Sequence, residues 1–89
     1  MIKRLDLWGL FYGLSTIQKQ LQIQQNATQN QEILVQAEID LFNMGESSLF
    51  LINARESKLI EMRAKVESLK AKFEKSIAAI AYAAGQQEF

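Results

Sequence analysis

The chain contains no proline, no cysteine and no histidine, and only 4 of its 89 residues are glycine. Each absence excludes something. Without cysteine there are no disulfides, no thiolate metal sites and no thiol nucleophile, and the redox compartment stays open. Without histidine the commonest general base and metal ligand is missing. Without proline no residue breaks a helix by removing its backbone N–H. An excess of one charge sign is also lacking: 10 lysines and arginines balance 10 aspartates and glutamates. That balance gives no electrostatic reason to expect nucleic acid, which demands a clustered basic surface. No apolar run reaches the roughly 20 residues of a transmembrane helix. The length suits one domain or a piece of one.

What is present is punctuated by those few glycines. Gly9 and Gly13 mark an irregular entry, Gly45 a central break, and Gly85 a stop near the end. A glycine just past a helix accepts the left-handed conformation that terminates it. The expected organisation is therefore an irregular or amphipathic leader over 1–13, a long helix over 14–44, a turn over 45–48, a second long helix over 49–85, and a tail over 86–89. The leader has a basic start and an apolar patch, the outline of a signal peptide. Asp6 breaks the apolar part and no small-residue cleavage site follows, so a leader outside the fold is the expectation.

The second helix carries the cleaner pattern. Ile52, Leu59, Val66, Phe73 and Ile80 recur every seventh residue. Met62, Leu69 and Ala83 fill the companion positions, with Arg55 and Ser76 as exceptions. A heptad seam sustained this long predicts coiled-coil-like packing. A second heptad on the same helix holds only small residues: Ser57, Ala64, Ala71 and Ala78, then Gly85. Alanine is the best helix former on any exposed face, and small side chains also let a second helix backbone approach. Both readings of this stripe stand.

The first helix is more polar. Leu14, Ile17 and Leu21 begin one stripe, continued at heptad spacing through Thr28, Val35 and Phe42. Ala27, Leu34 and Leu41, with Ala37 and Met44, make another. The amide-rich stretch between them, QKQLQIQQNATQNQ, reads as a wetted helix surface with little charge. Two such helices joined by a short turn must fold back antiparallel. The expected fold class is all-α: an antiparallel helical hairpin with coiled-coil-like heptad packing. Two helices alone make a small core, so further helices, from another copy or a larger parent, are expected to cover what the hairpin leaves open.

The turn itself, MGESSL, reads in terms of capping. Gly45 ends the first helix, Ser47 or Ser48 caps the second, and Glu46 places negative charge near its N-terminus. Capping does not account for Leu49, Phe50, Leu51 and Ile52, which point to all sides of one helical turn. A hairpin buries only some of them, and the rest make an exposed apolar patch at the tip.

The stretch FNMGESSLFLINARESKL, followed by a heptad helix closing on AYAAG, resembles the periplasmic hairpins of the TolC-type outer-membrane efflux channels. The features that carry the resemblance are Gly45, Ser48, the apolar run Leu49 to Ile52, Asn53-Ala54-Arg55 and Ala84-Gly85. Three departures accompany it, the first being that the chain is far shorter than a full family member. The spacing from Gly45 to Asn53 is one residue short, and Phe50 and Leu51 stand where an aspartate is usual. The resemblance covers one hairpin, most similar to the C-terminal one, and no segment reads as barrel strands. It implies a trimeric homo-oligomer in the outer membrane and periplasm of a Gram-negative bacterium, with the hairpin inside a larger α-helical barrel. It also implies that Met44, Gly45, Glu46, Ser47, Ser48 and Leu49 form a tip that docks a periplasmic adaptor protein. The membrane would be reached only through parts of a parent chain outside these residues. The competing reading from the residues alone is a self-associating helical module with a partner-binding tip. An enzyme is not expected. Glu38 with Asp40 and Glu56 with Glu61 are the only carboxylate groupings worth weighing, and neither has the spacing that shares a helix face. No catalytic residue, cofactor, metal ligand or nucleic-acid partner is expected. A weaker option, a membrane-surface helix built from the leader, rests on two positive charges beside Trp8, Phe11 and Tyr12.

Overall fold

The structure is a computed structural model that describes residues 4–87 of the chain. Two α-helices, α1 (Arg4–Asn43) and α2 (Leu49–Gln87), pack against each other as an antiparallel hairpin. The fold class expected from the heptads is the one observed.

The boundaries differ from the expected ones at both outer ends. Helix α1 starts at Arg4, so most of the expected leader is helical, and Gly9 and Gly13 lie inside the helix. The cause is the seam itself. Leu10 precedes Leu14 and Ile17 at the same 4–3 spacing, and all three are half-buried. Burial on one face outweighs the roughly 1 kcal/mol that each helical glycine costs relative to alanine. Gly85 likewise lies inside α2, which runs on to Gln87, because its backbone does not leave the helical region. The first three residues of the expected leader, and Glu88 and Phe89 of the expected tail, lie outside the described residues.

The chain divides into two compact units, Ile23–Val66 around the turn, and Met1–Gln22 with Glu67–Phe89. In the turn unit the core holds Val35 of α1 with Ile52, Leu59 and Val66 of α2, all buried, and Met62 half-buried. In the other unit Leu69 and Ala83 are buried, while Phe73 and Ile80 of α2 and Leu10, Leu14, Ile17 and Leu21 of α1 are half-buried. The seam of α2 thus follows the expected heptad residue for residue. Arg55 and Ser76, the two exceptions, are also half-buried.

The seam of α1 differs from the expected wetted surface. Gln24, Thr28, Gln31 and Glu38 fall on the packed side, at seven- and four-residue steps from Leu10, Leu14 and Ile17. Thr28, Gln31 and Glu38 find hydrogen-bond partners locally or across the hairpin. The Thr28 hydroxyl donates to the Gln24 carbonyl at 2.7 Å, the back-bonding a threonine makes inside a helix. Gln31 Nε2 donates to the Arg55 carbonyl at 3.0 Å. Among the described residues no buried side-chain nitrogen or oxygen lacks a partner. A polar seam is affordable only on these terms, since each unpaired buried polar group costs about 1–3 kcal/mol.

Ser57, Ala64, Ala71 and Ala78 are all exposed on the flank of α2 away from the seam. Leu34, Leu41 and Met44 are exposed on a second flank of α1, with Ala37 beside them. Shortening Leu59 to alanine should cost about 2–5 kcal/mol of folding stability, read as a lower thermal midpoint by circular dichroism. The same truncation at Ile60, which is 66% exposed, should change the midpoint far less. Equal losses at the two positions would contradict this seam.

Candidate functional site at the hairpin tip

The turn is built from its backbone outward. Gly45 is the one described residue with positive φ, at 76°. That left-handed step lets the Gly45 N–H reach the Phe42 carbonyl at 2.9 Å and the Glu46 N–H reach the Leu41 carbonyl at 2.8 Å. This pair of bonds is the Schellman arrangement, which satisfies carbonyls that the end of α1 would leave free. The chain then re-enters helix through Ser48. Its hydroxyl accepts from the Leu51 N–H at 3.3 Å, and its carbonyl accepts from the Ile52 N–H at 3.1 Å, which makes it the N-cap of α2.

Ser47 does something else. Its hydroxyl donates to Glu38 Oε2 at 2.5 Å. Arg55 Nε donates to the other carboxylate oxygen, Oε1, at 2.7 Å. One carboxylate on α1 therefore holds the turn with one oxygen and α2 with the other. Glu38 is buried, at 6% exposure. The Ser47 hydrogen bond, then the hydrogen bond and positive charge of Arg55, hold its carboxyl below the usual range, against the opposing pull of burial. Gln31, two helical turns further from the tip than Glu38 on α1, binds the Arg55 carbonyl. Further out on the surface, Arg63 meets Glu32 at 3.4 Å, a long exposed pair of little consequence.

With both serines turned to structural tasks, the outward face of the tip is apolar. Phe50 is 78% exposed, Met44 64%, Leu49 61% and Leu51 42%. Gly45 and Glu46 are exposed beside them, whereas Ser47 is half-buried by its bond to Glu38. Of the expected tip residues, then, Met44, Gly45, Glu46 and Leu49 face outward, Ser48 caps, and Ser47 points inward. Phe50 and Leu51 belong to the outward surface as well. Ile52, the last of the apolar run, is buried in the seam.

One residue of the site escapes a reading of apolar periodicity. Glu38 is a heptad position of α1, reached through Leu10, Ile17, Gln24 and Gln31, but three of those five are polar. Its signal is its partner: Arg55 is a charged intruder in the α2 seam, and an opposite charge at the facing position of α1 is what such an intruder requires. Glu38 and Asp40 do not combine as a carboxylate pair. Glu38 is engaged with Ser47 and Arg55, while exposed Asp40 accepts from Gln36 at 3.0 Å. Glu56 and Glu61 are exposed. Among the described residues no three potential ligands cluster to hold a metal ion. No described helix is long and apolar enough to cross a membrane.

Comparison with protein families, with curated proteins and with solved structures finds no match to this chain.

Two tests follow from the turn. Gly45→Ala forces a Cβ into left-handed backbone and should cost about 1–2 kcal/mol, although the space around it is open. Ser48→Ala should cost about 1 kcal/mol through the lost cap. A neutral outcome at both positions in thermal unfolding would contradict the turn geometry. Glu38 supplies a pH test. Its folded pKa lies below its ordinary 4.5, so its contribution to stability is complete above that value and is lost as the pH falls through it. Acidification from about pH 6 to pH 3 should therefore lower the thermal midpoint more in the native chain than in Glu38→Gln. Parallel curves would show that Glu38 gains nothing from its partners.

Proposed function

We propose that this hairpin is a non-catalytic docking element. Its tip offers an apolar surface to a partner protein, and its flanks pack against further helices. The observation that carries the reading is the tip. Met44, Leu49, Phe50 and Leu51 stand exposed on a turn whose backbone is fixed by a left-handed glycine, a serine cap and the Glu38–Ser47–Arg55 network. Exposed apolar groups on a rigid support lose little conformational entropy on binding, the condition for an economical docking surface. A flexible loop bearing the same side chains would give up more.

The resemblance of residues 42–59 to a TolC-type hairpin gives this role a concrete setting. In that setting the flanks form the wall of a periplasmic tunnel in an outer-membrane efflux channel. The tip meets the hairpin of an adaptor, and the parent assembly is a trimer. The sequence likeness supports this setting. The exposed apolar tip supports the docking role with or without it.

Replacing Phe50 with a photo-reactive phenylalanine derivative tests the role in cells that make the protein. The expected result is a discrete heterologous adduct, lost when Met44, Leu49 and Leu51 are changed to serine and absent when the probe sits at Ile60. An adaptor protein in that adduct would support the efflux setting. Adducts of equal yield from positions 50 and 60, or none from position 50, would contradict tip docking.

A further inference from the structure

The charges of the turn unit are unevenly placed. No lysine or arginine occurs between Lys19 and Arg55, and that stretch holds four acids, Glu32, Glu38, Asp40 and Glu46. Glu32 meets Arg63, and Glu38 engages Arg55. Asp40 and Glu46 remain. Both are exposed, and among the described residues neither forms an ion pair. Asp40 accepts a hydrogen bond from the neutral Gln36 amide. Further from the turn along α2, Glu56, Lys58, Glu61 and Lys65 alternate in sign, so that surface balances itself. The uncompensated charge of this unit lies at the hairpin end.

It lies there beside the apolar groups. Asp40 is one helical turn before Met44, whose N–H donates to the Asp40 carbonyl at 3.2 Å. Glu46 falls between Met44 and Leu49 in the turn. Folding does not ask for the first of these acids. The last turn of a helix favours basic side chains, because its free carbonyls carry partial negative charge. The last turn of α1 has no basic residue and holds Asp40 instead, against the helix dipole. Glu46 precedes the N-terminus of α2, where the dipole favours it. Together they edge the exposed surface of Met44, Leu49, Phe50 and Leu51 with negative charge that nothing in the turn unit answers.

We infer that the tip docks on a protein surface with an apolar centre and a rim of lysine or arginine side chains. The inference rests on tip docking and names the chemistry of the partner. Charge complementarity selects it. A basic rim turns Asp40 and Glu46 into steering charges that speed encounter and fix orientation, while Phe50 and its neighbours supply the apolar contact. A neutral apolar partner would give the two carboxylates no counter-charge. Anionic lipid and nucleic acid would repel them, since both present phosphates.

The photo-reactive group at position 50 of the full chain, in cells that make the protein, tests this. Asp40→Asn with Glu46→Gln should lower the adduct yield about threefold or more. Asp40→Lys with Glu46→Lys should lower it about tenfold or more. The dipole effects at the two helix ends oppose each other, so the thermal midpoint of each variant should stay close to the native one. Peptide mapping of the native adduct should place the linked residue in an apolar surface of the partner with lysine or arginine beside it. A yield unchanged by the charge reversal, with position 60 still silent, would overturn the basic rim and leave tip docking standing. Linkage to a neutral or acidic protein surface would do the same. Linkage to lipid, or flotation of the native chain with phosphatidylglycerol vesicles, would overturn the inference in favour of a membrane. No adduct from position 50 in the native chain would overturn both this inference and tip docking.

Discussion

One carboxylate, Glu38, touches both the turn and the returning helix, and the geometry of the hairpin end depends on that double contact. A two-helix seam of apolar side chains is a poor specifier of register, because sliding one helix by a heptad replaces one apolar contact with another. A charged pair inside the seam removes that freedom. Glu38 and Arg55 can meet in only one alignment, and any slip leaves a charge in apolar surroundings. Ser47 ties the alignment to the loop, so the place where α1 ends and the place where α2 begins are fixed by the same group. The pair's role lies in selecting one alignment more than in adding stability, because desolvation of the buried Glu38 carboxylate offsets part of its attraction to the half-exposed Arg55.

From that constraint the tip follows. Gly45 turns the chain, Ser48 restarts the helix, and Ile52 is drawn into the seam. Once Ile52 is inside, the 100° step between helical neighbours sends Phe50 and Leu51 outward, while Leu49, on nearly the same face as Ile52, is exposed at the first position of α2. Their exposure is thus a geometric result of where the seam begins, and a sequence that keeps them apolar there is spending solubility on a surface. This is the physical content of the docking role: hydrophobic groups held in place at the end of a rigid support.

Much of this was legible in the sequence. Ile52, Leu59, Val66, Leu69 and Ala83 announced the α2 seam because apolar residues at period 3.5 have no other economical explanation. Gly45 and the serines announced the turn. What was not legible was the polar part of the α1 seam: Leu14, Ile17, Leu21, Thr28 and Val35 stood in one stripe and are packed, but Gln24, Gln31 and Glu38 look like surface residues. Gln31 and Glu38 are tolerated inside because each finds a hydrogen-bond partner across the hairpin or in the turn, a property of three-dimensional neighbours that no periodicity count contains. The same blindness extended α1 too little at its start, where Gly9 and Gly13 read as breakers. In a helix whose seam is already paid for by Leu10, Leu14 and Ile17, a glycine is a modest local cost. The tip surface was half legible: the apolar run was plain, but only the structure shows that Phe50 and Leu51 face outward while Ser47 turns in toward Glu38.

The most direct measurement of the central claim is the distance distribution between nitroxide labels at Gln36→Cys and Ser57→Cys, exposed positions on the two helices near the turn. The labelled chain would be diluted in unlabelled chain so that only distances within one molecule are read. A single narrow distribution is expected in the native background, and a broadened or split one when Glu38 and Arg55 are both replaced by glutamine. An equally narrow distribution at the same distance in that variant would show that apolar packing alone sets the register, and that the Glu38–Arg55 pair does not.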